Sequence, residues 1–426
     1  MSLSRLFLHS SESHTADVRP LNDLKPDDPD SSEARGESRA ISRLRLAVRC
    51  VALAAAVVFA GVLASWSLGA LALVAVSPFV AIGSAIAARV VGWTTLLALP
   101  VLLISLVRRR WFCRWLCPTG LVCEQVGRIG SAAGRRAPRV GPLGHWLALA
   151  TWGGACLGYP VLLWLDPLAI LASFLGSRWA AFFTAAGLAS AAGLTVLLLL
   201  SLIAPGLWCM RLCPLGATQE LLAALPRLGN RERGANGERA WPLARRVVLA
   251  GGLGAAWAWT LGRARCESPP IRPPGALDEA RFRGVCVRCG NCLGACPTKI
   301  LQADGGGHGL GSLLTPVVQF GPGYCREDCR RCGEVCPSGA IARLALTDKR
   351  TARMGLARVD MSICLLGEDR DCSICRNVCP YEAIAMVWSE EEYAAVLKID
   401  PARCPGCGAC QVACPTEPRR AIVVVA

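Results

Sequence analysis

The sequence holds only four histidines in 426 residues, and one of them, His145, lies near a long apolar stretch. That scarcity excludes a haem held by two histidines in the apolar region, and no Cys-x-x-Cys-His attachment motif occurs. Neither a Gly-rich dinucleotide fingerprint nor a P-loop is present, which argues against a nicotinamide or ATP site. No apolar run follows the start. Residues 1–38, rich in Ser, Asp, Glu and Pro, therefore read as a disordered cytoplasmic tail and not as a signal peptide.

Cysteine, in contrast, is abundant: there are 24. Sixteen fall into four groups, Cys286/Cys289/Cys292/Cys296, Cys325/Cys329/Cys332/Cys336, Cys364/Cys372/Cys375/Cys379 and Cys404/Cys407/Cys410/Cys414, each ending Cys-x3-Cys-Pro. The spacing C-x2-C-x2-C-x3-C-P is that of bacterial ferredoxin loops. Three sulfurs grip one 4Fe–4S cube and the fourth reaches a partner cube. The first and fourth groups follow it throughout. The second and third have irregular leading gaps and are placed by their shared ending and position. Zinc asks for paired C-x2-C units with a longer spacer, and disulfides belong to small secreted scaffolds. Four motifs imply four cubes. Cys50, Cys123, Cys156 and Cys266 are assigned no chemistry.

The formal charge is +15. Four cubes at about −2 each would lower it to roughly +7. The arginines gather at the ends of apolar segments, a topology signal that makes nucleic acid a poor partner. Hydrophobic residues make up 53% of the chain and mean hydropathy is +0.41, a membrane composition. Spans are expected at about Leu46–Trp66, a stretch ending near Val107, His145–Leu165 and Ala181–Ala204. A fifth apolar segment follows Arg245-Arg246 and resembles a twin-arginine export signal, with an ordinary basic-flanked anchor helix as the competing reading. Basic residues, including Arg108–Arg110, Arg128, Arg135, Arg136, Arg139, Arg227, Arg231 and Arg233, orient this bundle with its N-terminus in the cytoplasm and the cluster domain outside.

Within the apolar region a unit is duplicated. Ser77-Pro78 opens a short segment and Cys113-x3-Cys117-Pro118 closes the first copy. Asp166-Pro167 and Cys209-x3-Cys213-Pro214 do the same in the second. Each cysteine pair, spaced i, i+4, shares a helical face, and the proline is expected to stop that helix. Together the pairs supply four thiolates, enough for one further iron–sulfur centre. A redox-active thiol set and small apolar cysteines in an interfacial belt are the alternatives. The segments Ser77–Ile82 and Asp166–Leu171 are candidates for a quinone pocket. Asp166 could accept a quinol proton there or serve as a helix cap.

On these motifs residues 46–220 resemble the NapH-type membrane proteins, marked by repeated Cys-x3-Cys-Pro. Residues 244–426 resemble the NapG/MauM-type periplasmic polyferredoxins through Arg245-Arg246, Arg272-Pro273-Pro274-Gly275-Ala276 and the four cysteine groups. The expected architecture is a membrane all-α bundle followed by an α+β ferredoxin-like domain with four 4Fe–4S clusters. Its parts are the tail 1–38, a four-helix membrane domain 39–220, a cytoplasmic loop 221–243, a Tat-like helix 244–262, a Pro-rich linker 263–284 and a cluster domain 285–426.

The resemblance implies a multi-pass inner-membrane quinol dehydrogenase component. It would take electrons from the membrane quinone pool to a periplasmic redox protein or c-type cytochrome. The alternative is an accessory or maturation factor for a periplasmic metalloenzyme. The resemblance also favours nested pairing, first motif with fourth and second with third. One cube would then take Cys286, Cys289, Cys292 and Cys414, and its partner Cys404, Cys407, Cys410 and Cys296. Tandem pairing, first with second, is the alternative.

Overall fold

Prolines decide where the helices of the first half begin. A computed structural model describes residues 29–59, 67–136, 138, 141–176, 185–229, 241–263, 269–321, 323–368, 370–390 and 393–426. The chain divides into Met1–Val48 and a compact unit, Arg49–Ala426. Helix α1 (Pro29–Val57) starts inside the stretch expected to be a disordered tail; residues 1–28 lie outside the described residues, as do Arg139, Arg231 and Arg233. Next come α2 (Ser67–Ala75), α3 (Pro78–Ala88), α4 (Trp93–Val107), α5 (Trp111–Trp115), α6 (Pro118–Ala132), α7 (Leu143–Cys156), α8 (Pro167–Gly176), α9 (Ala185–Ile203), α10 (Pro214–Gly229) and α11 (Trp241–Arg263).

Proline is the first residue of α3, α6, α8 and α10. Its fixed φ suits that position, and the N–H it lacks would have had no partner there. Ser77 caps α3 and Cys117 caps α6, whose Sγ accepts from Gly120 N–H at 3.2 Å. Against the expectation above, the prolines of the Cys-Pro pairs open helices and do not close them.

These breaks cut the apolar stretches short. The stretch ending at Val107 is three helices, the longest of 15 residues, about 22 Å against a hydrocarbon core of about 30 Å. The His145–Leu165 stretch ends its helix at Cys156 and turns. Among the described residues no helix is long and apolar enough to cross a membrane. The membrane bundle, and the multi-pass inner-membrane localisation that rested on it, are therefore not supported. The fifth apolar segment, α11, lies against α7 at glycine contacts. A Cβ on Gly254 would stand 1.9 Å from the Ala150 carbonyl oxygen, so these backbones meet where no side chain fits.

Residues 269–284 of the stretch expected as a Pro-rich linker are built into the fold; 264–268 lie outside the described residues. Pro270, Arg272, Pro273 and Pro274 are buried. Arg272 makes a two-pronged pair with Glu279 (2.8 and 2.7 Å), donates to Thr315 Oγ1 and the Pro316 carbonyl, and stacks 4.7 Å over the Phe282 ring. The cluster half continues with α12 (Glu279–Val285), α13 (Asn291–Ala295), β1 (Leu301–Ala303), β2 (Pro316–Val318), α14 (Arg331–Glu334) and α15 (Leu346–Lys349). It ends with β3 (Leu356–Val359), α16 (Ile374–Asn377), β4 (Ile384–Ser389), β5 (Ala394–Ile399), α17 (Ala409–Ala413) and β6 (Ile422–Val425). Its strands form three antiparallel pairs, β1–β2, β3–β6 and β4–β5.

The two halves share hydrophobic cores. Val287 and Cys289 pack with Phe79, Leu168, Cys117 and Cys213, while Ala87 and Ala155 pack with Phe282 and Val285.

Asp166 is fully buried and joins the two copies of the duplicated unit. Its Oδ1 accepts from the N–H groups of Leu168 (2.9 Å) and Ala169 (3.1 Å), capping α8, and its Oδ2 accepts from Ser77 Oγ at 2.5 Å. Burial lifts its carboxyl from 3.8 to about 6, against the pull of those three bonds. A carboxyl harder to ionise in the fold than in the open chain stabilises most below the unfolded value. That contribution is lost as pH rises through about 6.

Two outcomes are expected in denaturation experiments. Asp166→Asn, which keeps the cap, should flatten the stability profile between about pH 4 and 6 relative to wild type, whereas Asp166→Ala should lose about 1 kcal/mol or more through the missing cap. Arg272→Met leaves Glu279 only its longer, 3.8 Å contact with Arg283 and should cost about 3 kcal/mol in urea titrations, with Arg272→Lys recovering only part because it lacks the planar fork.

Candidate iron–sulfur centres

Two of the cysteine loops turn on a glycine. Gly290 (φ 75°) and Gly408 (φ 83°) sit in the left-handed region between the second and third cysteines and start α13 and α17. A Cβ on Gly408 would fall 2.2 Å from the Phe320 ring, so both conformation and space call for glycine there.

Strand pairing then decides which cysteines meet. Between the first two motifs the β1–β2 hairpin pairs Leu301 with Val318 and returns the chain from Cys296 toward Cys325. The arm before α12 pairs with the residues after Cys336, through Leu277 N–H to the Ala340 carbonyl and Ala342 N–H to the Gly275 carbonyl. This sets Cys336 beside Cys286. The last two motifs repeat the plan. The β4–β5 hairpin pairs Ile384 with Ile399 and returns Cys379 toward Cys404. The β3–β6 pair, Leu356 with Val425, brings Cys414 to Cys364.

Four cavities of similar size result, each lined by four cysteines. Cys286, Cys289, Cys292 and Cys336 surround one of about 360 Å³. Cys296, Cys325, Cys329 and Cys332 surround one of about 390 Å³. Cys364, Cys372, Cys375 and Cys414 surround one of about 340 Å³, and Cys379, Cys404, Cys407 and Cys410 one of about 310 Å³. Every set takes three sulfurs from one motif and the fourth from its neighbour. The pairing is therefore tandem, first with second and third with fourth, and the nested arrangement is overturned: Cys414 stands with the third motif, not the first. The physical reason is the short hairpin inside each pair, which closes a local loop where nesting would need a long one.

All the described cysteines are unbridged. Burial, with neighbouring cysteine charges adding to it, raises the thiol of Cys286 to about 11 and that of Cys332 to about 12. Sulfurs so placed resist becoming thiolates unless a cation stands among them. Among the described residues no three side chains converge on a point where one ion could sit; a cube does not ask for that, because each thiolate binds its own iron. The sets of four, their spacing and their apolar cavities fit 4Fe–4S clusters.

The two pairs of motifs meet around Cys325 and Cys407, and Phe320 and Ile271 pack against cores on both sides. Cys325 N–H donates to the Cys407 carbonyl at 2.9 Å, and Met354 N–H to that of Pro405. Met354, Cys407 and Ala409 form a small core there with Cys325 and Tyr381 packed against it.

The structure also brings the two Cys-x3-Cys pairs together. Cys117 feels the charges of Cys113, Cys213 and Cys209. Gln219 Nε2 donates to Cys113 Sγ at 3.2 Å and Gly120 N–H to Cys117 Sγ, while Cys123 lies beside Cys209. Burial pushes Cys113 up to about 12. Arg110 holds the loop by donating to the carbonyls of Cys209 and Met210, and it pairs with Glu220 at 2.6 Å.

Sequence reasoning missed Gln219 and Cys123. A glutamine on an amphipathic helix carries no motif, and a lone cysteine shows nothing until its neighbour is known. Of the two readings of Asp166, proton acceptor or helix cap, the structure shows a buried cap.

Comparison with known proteins agrees with this geometry. Residues 285–340 and 370–417 match a 4Fe–4S dicluster domain, the same pairing of motifs. Residues 91–136 and 186–234 match a 4Fe–4S binding domain, and these segments contain Cys113/Cys117 and Cys209/Cys213. No solved structure matches the chain. It is 39% identical to the methylamine utilization ferredoxin-type protein MauM of Methylobacillus flagellatus, over 34% of this chain and 63% of that protein, just under two thirds of its length. It is 37% identical to MauM of Methylophilus methylotrophus, over 38% of this chain and 76% of the relative. With the ferredoxin-type protein NapG of Escherichia coli it shares 38% identity, over 40% of this chain and 78% of the relative. These relatives give no support to a NapH-type membrane fusion. Their likeness and the cysteine pairing agree: the chain belongs to the NapG/MauM family of ferredoxin-type 4Fe–4S proteins.

Proposed function

We propose that the chain is an electron relay carrying four 4Fe–4S clusters, one in each four-cysteine cavity, with a fifth centre held by Cys113, Cys117, Cys209 and Cys213. The observation that carries this is the sorting of sixteen cysteines into four equivalent sets. Such a cluster supplies reversible one-electron chemistry. The protein's part is to hold the thiolates, exclude water and fix the order of the sites.

That order follows from contacts. Cys289 shares a core with Cys117 and Cys213, so the Cys286 site adjoins the fifth centre. The Cys286 and Cys325 sites exchange Cys296 and Cys336. The Cys325–Cys407 hydrogen bond leads to the Cys404 site, which exchanges Cys379 and Cys414 with the Cys364 site. Electrons would travel along this series one at a time, to or from a redox protein such as a c-type cytochrome.

Iron analysis of anaerobically purified protein tests the proposal. About 16 irons per chain are expected for four cubes and about 20 with the fifth; an iron-free or zinc-loaded chain rejects it. Tandem pairing makes a sharper forecast. Cys289→Ala with Cys336→Ala should lose one cube's worth of iron, because both serve the same site, whereas Cys289→Ala with Cys414→Ala should lose two. Cys113→Ala with Cys209→Ala should remove only the iron above 16.

A further inference from the structure

Lys349 is one of four lysines in the sequence and the last residue of α15. Only 2% of it is exposed, less than the 7% of Arg49 or Arg272. Its Nζ donates to the carbonyl oxygens of Arg326 and Cys329, and its charge lies close enough to act on the Cys325 thiol. All three residues belong to the second motif, which with Cys296 encloses one cavity.

Among the described residues no carboxylate forms an ion pair with Lys349. The adjacent acid, Asp348, is exposed, and Asp328 in the loop is 59% exposed at its side chain and engaged with Arg326. Taking an ammonium out of water is costly unless an opposite charge accompanies it. Two neutral carbonyls do not supply that charge; a thiolate-ligated cluster does, at about −2 when oxidised and one unit more when reduced.

Because the extra electron adds negative charge, a fixed cation holds the reduced form more strongly than the oxidised one. The other cavities are served differently. At the third motif Arg420 donates to the Cys414 carbonyl but is exposed, and the lining is otherwise Val359, Leu365, Ile374, Leu397 and similar apolar residues with Thr416. Arg288 lines the first cavity with its guanidinium engaged by the Gly311 carbonyl and the Trp164 ring. The lining of the fourth has no cation.

We propose that Lys349 is the built-in counter-ion of the centre at Cys296, Cys325, Cys329 and Cys332, and that it makes this centre the highest in reduction potential of the four. The site stands where the two cluster pairs touch, so an electron entering from either end comes to rest at the junction. The proposal rests on the cluster reading of that cavity.

A redox titration followed by electron paramagnetic resonance, with iron measured on each sample, tests it. In the wild type one cube should be reduced at a clearly higher ambient potential than the other three. Lys349→Gln keeps amide hydrogens for the two carbonyls but removes the charge. It should lower that cube's reduced-to-oxidised ratio at fixed potential at least tenfold, about 59 mV for a one-electron couple. Lys349→Arg, which keeps the charge, should stay near the wild type. Four cubes titrating together in the wild type overturn the proposal, as does Lys349→Gln with full iron and an unchanged titration, or Lys349→Arg shifting as far as Lys349→Gln. Those results leave the cluster reading standing. Wild-type protein without iron removes both.

Discussion

Sixteen buried sulfurs have to be kept in sets of four, and that requirement governs the cluster half of the molecule. A thiol in an apolar pocket with three others nearby is pushed away from ionising, both by burial and by its neighbours' charge. Such a pocket is a poor place for sulfur and a good one for sulfur bound to iron. The fold around it is slight: three two-stranded pairs and helices of four to seven residues. With so little secondary structure, much of the order in this half must come from the cysteine loops and whatever ties them together.

The first half obeys a different constraint, the need to satisfy backbone groups at helix starts inside an apolar core. Ser77, Cys117 and Asp166 each stand before a proline and each accepts a hydrogen bond from the turn that follows. Two are ordinary caps; the third is a thiol. The device that begins a helix thus also fixes a sulfur in place. The Ser77–Asp166 bond ties the two copies of the repeat to each other, and the same relation brings Cys113 and Cys117 to Cys209 and Cys213.

Much of the site was legible in the sequence because spacing alone brands a cubane loop. Gly290 and Gly408 could be read as turn residues inside it. The pairing was not legible. Whether Cys296 answers Cys325 or Cys404 depends on hairpins of three and six residues per strand, and nothing in a cysteine's own neighbourhood announces them. The helices misled for another reason. The apolar stretch His145–Leu165 reads as one span, while its helix ends at Cys156 and the chain turns there. Arg272 was hidden by its prolines: Pro273-Pro274 reads as a spacer until Glu279, Thr315 and Phe282 are seen closing around the guanidinium.

The core shared by Cys117, Cys213, Leu168 and Cys289 has a kinetic meaning. Were the two cysteine systems carried on separate polypeptides, every passage between them would wait for a collision and would slow on dilution. Joined in one hydrophobic nucleus, they meet at a distance set once, during folding. In the proposed relay the handover is then first order, indifferent to how many copies the cell contains.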